Sequence, residues 1–215
     1  IIFGATGLIG TQLVKRLLRE GSEVTGVSRR IPGKKISSKH RHVQADIANK
    51  EDFNKLAGNF DLVFNMAAHI SPGYASKEAT RCLLINSLGT LNILDFMLKK
   101  SIKRLIHSSS VTVYGKPRRS VVKETSRLNP ITVYGVSKLA AESYCNMYSE
   151  IYALDITILR YASVYGPGIN LKTALPIFID KALKNEDIYI YGNGMRSQDY
   201  VYVDDVIRAN LLAVK

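Results

Sequence analysis

Tyr134 and Lys138 stand four residues apart, a spacing that can do proton chemistry. On a helix, positions i and i+4 share one face. A tyrosine titrates near ~10 and is a weak base at neutral pH. A nearby ammonium stabilises the phenolate and lowers that value. The pair can then take or give the proton of a substrate hydroxyl. The spacing also occurs often by chance, so it needs company. Ser108-Ser109-Ser110 supplies some, because it ends an apolar run that reads as a strand. Ligands of open parallel sheets bind outside the carboxyl ends of strands. Ser110 there can hydrogen-bond a reacting hydroxyl or ketone; the plain alternative is serine-rich turn chemistry.

A second constellation opens the chain. Gly4-Ala5-Thr6-Gly7-Leu8-Ile9-Gly10 lies between a predicted strand and a predicted helix. That context makes a glycine fingerprint credible. Gly4 permits the tight turn, Gly7 lets backbone approach a pyrophosphate, and Gly10 lets helix and strand pack closely. The helix start, at Leu8 and Ile9, offers free N–H groups to phosphates. At the end of the next strand a carboxylate would bind a ribose 2′-hydroxyl. This chain has Ser28-Arg29-Arg30 instead, which suits a 2′-phosphate and favours NADP over NAD. Two solvated loop arginines are the other reading. Asp46-Ile47 follows a short strand and can contact an adenine; Asp46 can equally be a helix cap.

The elements that must position these residues alternate. Apolar runs are expected as strands at 1–3, 23–28, 42–46, 61–66, 104–108, 155–160 and 199–203. Amphipathic stretches are expected as helices at 8–20, 51–57, within 78–100, at 133–151 and at 204–215. This is the pattern of βαβ units on a parallel sheet. Residues 1–164 are expected to form one α/β domain, with a last strand and helix from 199–215. Residues 165–198, broken by Pro167, Gly168, Pro176, Gly192 and Gly194, are expected to begin a smaller domain that continues past Lys215. The first strand is short enough to suggest residues upstream of Ile1.

The 215 residues are 46% hydrophobic, enough for a sizeable core. No long apolar run suggests a membrane span. Cys82 and Cys145 form no metal spacing with the histidines, so no metal is expected. Reduced, buried cysteines point to a cytoplasmic protein. Thirty Lys and Arg against eighteen Asp and Glu give a net charge of +12. That balance suits an anionic sugar diphosphate and a phosphorylated cofactor, or an acidic segment beyond the chain. Nucleic acid is disfavoured, because aromatic residues are not interleaved with the basic ones.

The segments GATGLIG, ADI, NMAA, NSLGTLNIL, SSSVTVYG, YGVSK, LRYASVYGPG and GNGMRSQDYVYVDDV follow one another from Gly4 to Val206. In that order they resemble the extended short-chain dehydrogenase/reductase family, in particular its group of UDP-glucose 4-epimerases and sugar dehydratases. The resemblance implies a Rossmann-type doubly wound parallel sheet with a small, incomplete substrate domain. It implies NAD or NADP held through the cycle, a nucleotide-diphosphate sugar as substrate, and a homodimer. The dimer helices would lie around Leu88 to Leu98 and Val136 to Ile151. Carried over, Ser110, Tyr134 and Lys138 are catalytic. Gly4, Gly7, Gly10, Asp46, Ile47, Met66, Ala67, Ala68, Ser108, Tyr161 and Val164 surround the cofactor with Tyr134 and Lys138, Asn86 supports the active site beside it, and Leu8, Ile9, Ser28, Arg29 and Arg30, read from the residues themselves, complete the cofactor set. Thr112, Ser163 and Arg196 join Ser110 at the substrate.

The departures are informative. Val111-Thr112 replaces the Asp-Glu of the dehydratases, which argues against water elimination. Ser163 stands where the family often has Asn. Gln198-Asp199 stands where it often has Arg-Asp, with Arg196 as the candidate replacement. Ser28-Arg29-Arg30 lacks the Asp of NAD-bound 4-epimerases. The expected function is a nucleotide-sugar 4-epimerase working through a 4-keto intermediate. An NADP-dependent reductase of a 4-keto sugar is the first rival. A non-catalytic dinucleotide-binding protein is the second.

Overall fold

The computed structural model describes residues 1–33, 36–70, 78–116, 121–195 and 197–214. Six parallel strands form the main sheet: β1 (Ile2–Phe3), β2 (Val24–Ser28), β3 (His40–Gln44), β4 (Leu62–Asn65), β5 (Arg104–Ser110) and β6 (Asp155–Tyr161). Their spatial order is β3-β2-β1-β4-β5-β6. This is the doubly wound Rossmann order, with its switch point between β1 and β4.

The strands are apolar on both faces because both are covered. On one face, Ile2, Val24, Phe64 and Ile106 pack with Leu13 and Val14 of α1 (Leu8–Arg19) and Ile207 of α6 (Val203–Leu212). On the other, Phe3, Val27, Val63 and Leu105 meet Ile93, Leu94 and Met97 of α3 (Gly89–Lys99) and Cys145 of α4 (Val133–Tyr152). Thr132 caps α4 by accepting the Gly135 N–H at 3.0 Å.

Helix α2 (Ala79–Cys82) runs into α3 through a π-helical stretch, Leu83–Leu88. The whole run, Ala79–Lys99, is long and apolar enough to cross a membrane by length and composition alone. Yet 61% of its apolar window is buried inside the protein, the behaviour of a core helix. Short 3-10 helices cover Lys50–Lys55 and Val111–Tyr114.

Three elements differ from the sequence reading. Strand β3 lies two residues earlier than expected, because its pairing with β2 sets His40 opposite Val24. The 199–203 strand does not join the main sheet. As β8 (Tyr200–Tyr202) it pairs with β7 (Ser163–Tyr165) in a separate two-stranded sheet. The irregular region 165–198 contains a helix, α5 (Ala174–Leu183), whose Pro176 sits in the first turn, where a missing N–H costs nothing.

Candidate active site

The glycine loop is built by contact. Gly4 has φ +79°, and a Cβ there would lie 2.6 Å from the Ala67 nitrogen. A Cβ on Gly10 would lie 2.1 Å from the Gly4 carbonyl oxygen. The Gly4 and Ala5 N–H groups both donate to the Val27 carbonyl, at 2.8 and 3.2 Å, which ties the loop to the end of β2. Gly7 precedes α1 without any side-chain cap, leaving the first N–H groups open to an anion.

A cleft of about 580 Å³ lies against this loop, lined by Gly4, Thr6, Gly7, Ser28, Arg29, Arg30, Asp46, Ile47, Met66, Ala67 and Ala68 among others. The glycine cradle, the open helix start and the basic far end fit a dinucleotide. The predicted residues Leu8, Ile9 and Gly10 are not in the lining. Gly10 acts from behind, by letting α1 approach the loop. Arg81 of α2, not singled out from the sequence, faces the cleft as a further cation.

Neighbours shape the cleft. The Ser28 hydroxyl donates to the Arg30 carbonyl at 2.6 Å and pairs with His42 Nε2 at 2.8 Å, so it fixes the arginine turn. The Asp46 carboxylate accepts the Ala48 N–H at 3.0 Å, while the cap of the following 3-10 helix is Asn49. Ile47 is held by Asn92, whose amide donates to its carbonyl at 2.8 Å. A Cβ on Gly89 would lie 2.6 Å from the Ile47 side chain, which explains the glycine of NSLGTLN.

One strand over, at the carboxyl end of β5, the catalytic candidates meet. Ser110 accepts from the Thr112 N–H at 3.2 Å and the Thr112 hydroxyl at 3.0 Å. Thr112 thus orients Ser110. Tyr134 hydrogen-bonds Ser110. Lys138, 1% exposed, donates to the Ser108 carbonyl at 2.5 Å. Ser108 therefore serves through its backbone.

Electrostatics correct one expectation. Burial pushes the Tyr134 phenol up to about 12, although the Ser110 bond pulls it down. Burial lowers the Lys138 ammonium to about 8, against upward pulls from Cys145 and Glu142. Burial also holds His107 well below its ordinary value, with Lys138 adding to the effect. The tyrosine is protonated at neutral pH, because burial outweighs the Ser110 bond.

This has a stability consequence. Lys138 binds its proton less well folded than unfolded. Between its folded value of about 8 and the usual lysine value, the unfolded chain holds more protons, so stability rises with pH. Cys145 from about pH 8 and Tyr134 from about pH 9, both pushed up to about 12, oppose it, so the comparison is with a variant that lacks only the lysine. From pH 8 to 9, the Tm of the cofactor-free protein should rise relative to that of Lys138→Met. Parallel Tm curves in that window would contradict the assignment.

Asn86 sits in the π-helical stretch, 1% exposed. Its oxygen accepts the His69 N–H at 2.7 Å, and its amide donates to the His69 carbonyl and the Ser137 hydroxyl, each at 2.9 Å. It braces the site rather than facing a ligand. The Tyr161 hydroxyl accepts from Asn210 of α6 at 2.7 Å, and the Gln198 amide donates to Ser163. Tyr161, Ser163 and Val164 lie beyond the cleft lining. Arg196 lies outside the described residues.

The sequence reading missed the Glu142–Arg160 pair behind Lys138, at 2.7 Å. Its one sequence signal is the Tyr134, Lys138, Glu142 spacing along a single helix face.

The model of the NAD dependent epimerase/dehydratase family matches residues 1–215. The chain belongs to that family. It is 32% identical to a UDP-glucose 4-epimerase of Mycolicibacterium smegmatis, over 97% of this chain and 71% of that protein. Among solved structures, the UDP-glucose 4-epimerase of Thermotoga maritima with UDP-glucose superposes with a TM-score of 0.91 at 32% identity, covering 100% of this chain and 72% of that one. The UDP-glucuronic acid 4-epimerase of Bacillus cereus with UDP-glucuronic acid and NAD gives 0.86 at 27% identity, covering 100% and 72%.

Proposed function

We infer that this family member is a nucleotide-sugar 4-epimerase. The observation that carries the reading is the convergence of Ser110, Tyr134 and Lys138 at the end of β5, the strand next to β4, whose following residues Met66, Ala67 and Ala68 line the glycine-loop cleft. The UDP-sugars bound by the structural relatives support a UDP-sugar substrate.

In this scheme Tyr134 accepts the 4-hydroxyl proton and later returns it, while Ser110 holds the C4 oxygen. A nicotinamide cofactor held against the Gly4–Gly7 loop would supply a hydride acceptor and donor for C4, and a positive ring charge. That charge and the Lys138 ammonium would together favour the phenolate, which burial disfavours. Thr112 and Asn86 keep the groups in place, and positioning of this kind supplies much of the rate.

The test is turnover by purified full-length protein given UDP-glucose, and separately UDP-glucuronic acid, without added cofactor. Conversion to the C4 epimer supports the reading. Dependence on stoichiometric NADPH moves the assignment to a 4-keto-sugar reductase.

The cofactor is a nicotinamide dinucleotide. The B. cereus relative holds NAD. Here no carboxylate stands at the end of β2, and Arg29 and Arg30 both face the cleft, which favours NADP. Arg30→Ala should weaken NADP about tenfold to a hundredfold while NAD changes little, since a lost charge-assisted contact is worth about 1.5–3 kcal/mol. Equal weakening of both, by calorimetry, would remove the 2′-phosphate from the argument.

A homodimer through the helices around Leu88 to Leu98 and Val136 to Ile151 is part of the same proposal. Val136, Met147 and Ile151 lie exposed on α4, and Leu83 and Leu84 lie exposed in the π-helical stretch that leads into α3. The free thiols Cys82 and Cys145 suit the reducing cytoplasm.

A further inference from the structure

Glu142 is 1% exposed, and its carboxylate is fully committed. One oxygen accepts the Ser109 hydroxyl at 2.5 Å and Arg160 Nε at 2.9 Å. The other accepts a terminal Arg160 nitrogen at 2.7 Å. The remaining arm of Arg160 donates to the Tyr114 hydroxyl at 2.7 Å and the Glu124 carbonyl at 3.1 Å. The planar guanidinium thus joins α4, β5, β6, the 3-10 helix that ends at Tyr114 and the loop at Glu124.

Each brace residue is next to a reacting one. Ser109 lies between Ser108, whose carbonyl takes Lys138, and Ser110. Glu142 is one turn beyond Lys138 and two beyond Tyr134 on α4. Tyr114 ends the 3-10 helix that Ser110 caps. Arg160 stands directly opposite Ser109 in the β5–β6 register.

Burial of an ion pair is poor value as stabilisation, because desolvation cancels much of the attraction. A packed apolar pair of similar size would often serve the fold as well. What the charged pair adds is direction: a bidentate fork fixes two elements in one plane.

We propose that Glu142 and Arg160 are positioning residues that hold Ser110, Tyr134 and Lys138 in reacting register. This rests on the epimerase reading. Misplacement of reacting groups by about an ångström costs up to about a hundredfold in rate. A purely structural pair would move stability and leave turnover per folded molecule unchanged.

The experiment compares full-length wild type, Glu142→Gln, and Glu142→Gln with Arg160→Met, reading kcat, KM, cofactor Kd and Tm. Glu142→Gln strands the arginine and lowers Tm. It should lower kcat about tenfold to a hundredfold, with KM and cofactor Kd within about twofold. The double variant removes the stranded charge and should recover most of the Tm but not kcat. If Glu142→Gln does not fold, the double variant alone carries the comparison. Recovery of kcat with Tm, or undiminished kcat in Glu142→Gln, overturns the brace. A wild type without 4-epimerisation overturns the epimerase reading itself, and the proposal with it.

Discussion

Tyr134→Phe should lose about a hundredfold to ten-thousandfold in kcat, the range for a general acid–base group. Cofactor Kd should stay within about threefold, roughly 0.6 kcal/mol. Phenylalanine keeps the ring in its place on α4. Ser110 keeps both of its bonds from Thr112, at 3.2 and 3.0 Å, so its rotamer need not change. The lost group is the hydroxyl that burial pushes up to about 12. At neutral pH that hydroxyl is uncharged, and its removal gives up only the Ser110 bond, so stability should fall by about 1 kcal/mol or less. Steady-state turnover of UDP-glucose and calorimetric cofactor binding check it together. Turnover near the wild-type rate would take the proton-transfer role away from Tyr134.

Gly10→Ala should be the most damaging single methyl in the cofactor loop. Its Cβ would sit 2.1 Å from the Gly4 oxygen and 2.9 Å from the Ala5 Cα, both backbone atoms that cannot swing aside. Helix α1 must move off the loop or the loop must open. Overpacking of this kind costs about 1–3 kcal/mol, or roughly 2–4 °C of Tm per kcal/mol at this chain length. Because the same oxygen shapes the turn beneath the pyrophosphate, cofactor affinity should fall at least about tenfold. Gly33→Ala is the control, since a Cβ there has nothing within 4 Å. Differential scanning fluorimetry with and without dinucleotide reads both effects. A Gly10→Ala protein that melts and binds like Gly33→Ala would show that the close approach is dispensable.

The long periodic elements were legible in the sequence, and the reason is physical. Leu13 and Val14 of α1, and Ile93, Leu94 and Met97 of α3, bury one stripe each, so their spacing repeats. The glycine loop was legible because its strand–turn–helix setting demands those residues. Strand pairing was not. That β8 leaves the main sheet for β7 depends on contacts 37 residues apart in sequence, between Ser163 and Tyr200. Helix α5 was missed because its apolar residues, among them Ile177, Phe178 and Ile179, are continuous rather than periodic, and those three are exposed.

The site divided the same way. Residue types announced Ser110, Tyr134 and Lys138, and the structure brings Ser110 and Tyr134 into contact. The direction of the Tyr134 shift was beyond the sequence, since burial is a property of the packed fold. So was the Glu142–Arg160 pair, because no local spacing says that the arginine of β6 meets Glu142 of α4 rather than Glu150. Asn86 was legible as a supporting residue, but its partners were not, since the π-helical turn is what points it at His69 and Ser137.

The central claim is that one hydrogen leaves C4 of the sugar and returns to the same carbon. The most direct test gives full-length protein UDP-glucose carrying deuterium at C4, in ordinary water without added cofactor, and follows the product by NMR. The account predicts the C4 epimer with deuterium still on C4 and no accumulation of reduced cofactor. Product that has exchanged its C4 deuterium for solvent hydrogen, or reduced cofactor that accumulates in step with a keto product, would contradict it.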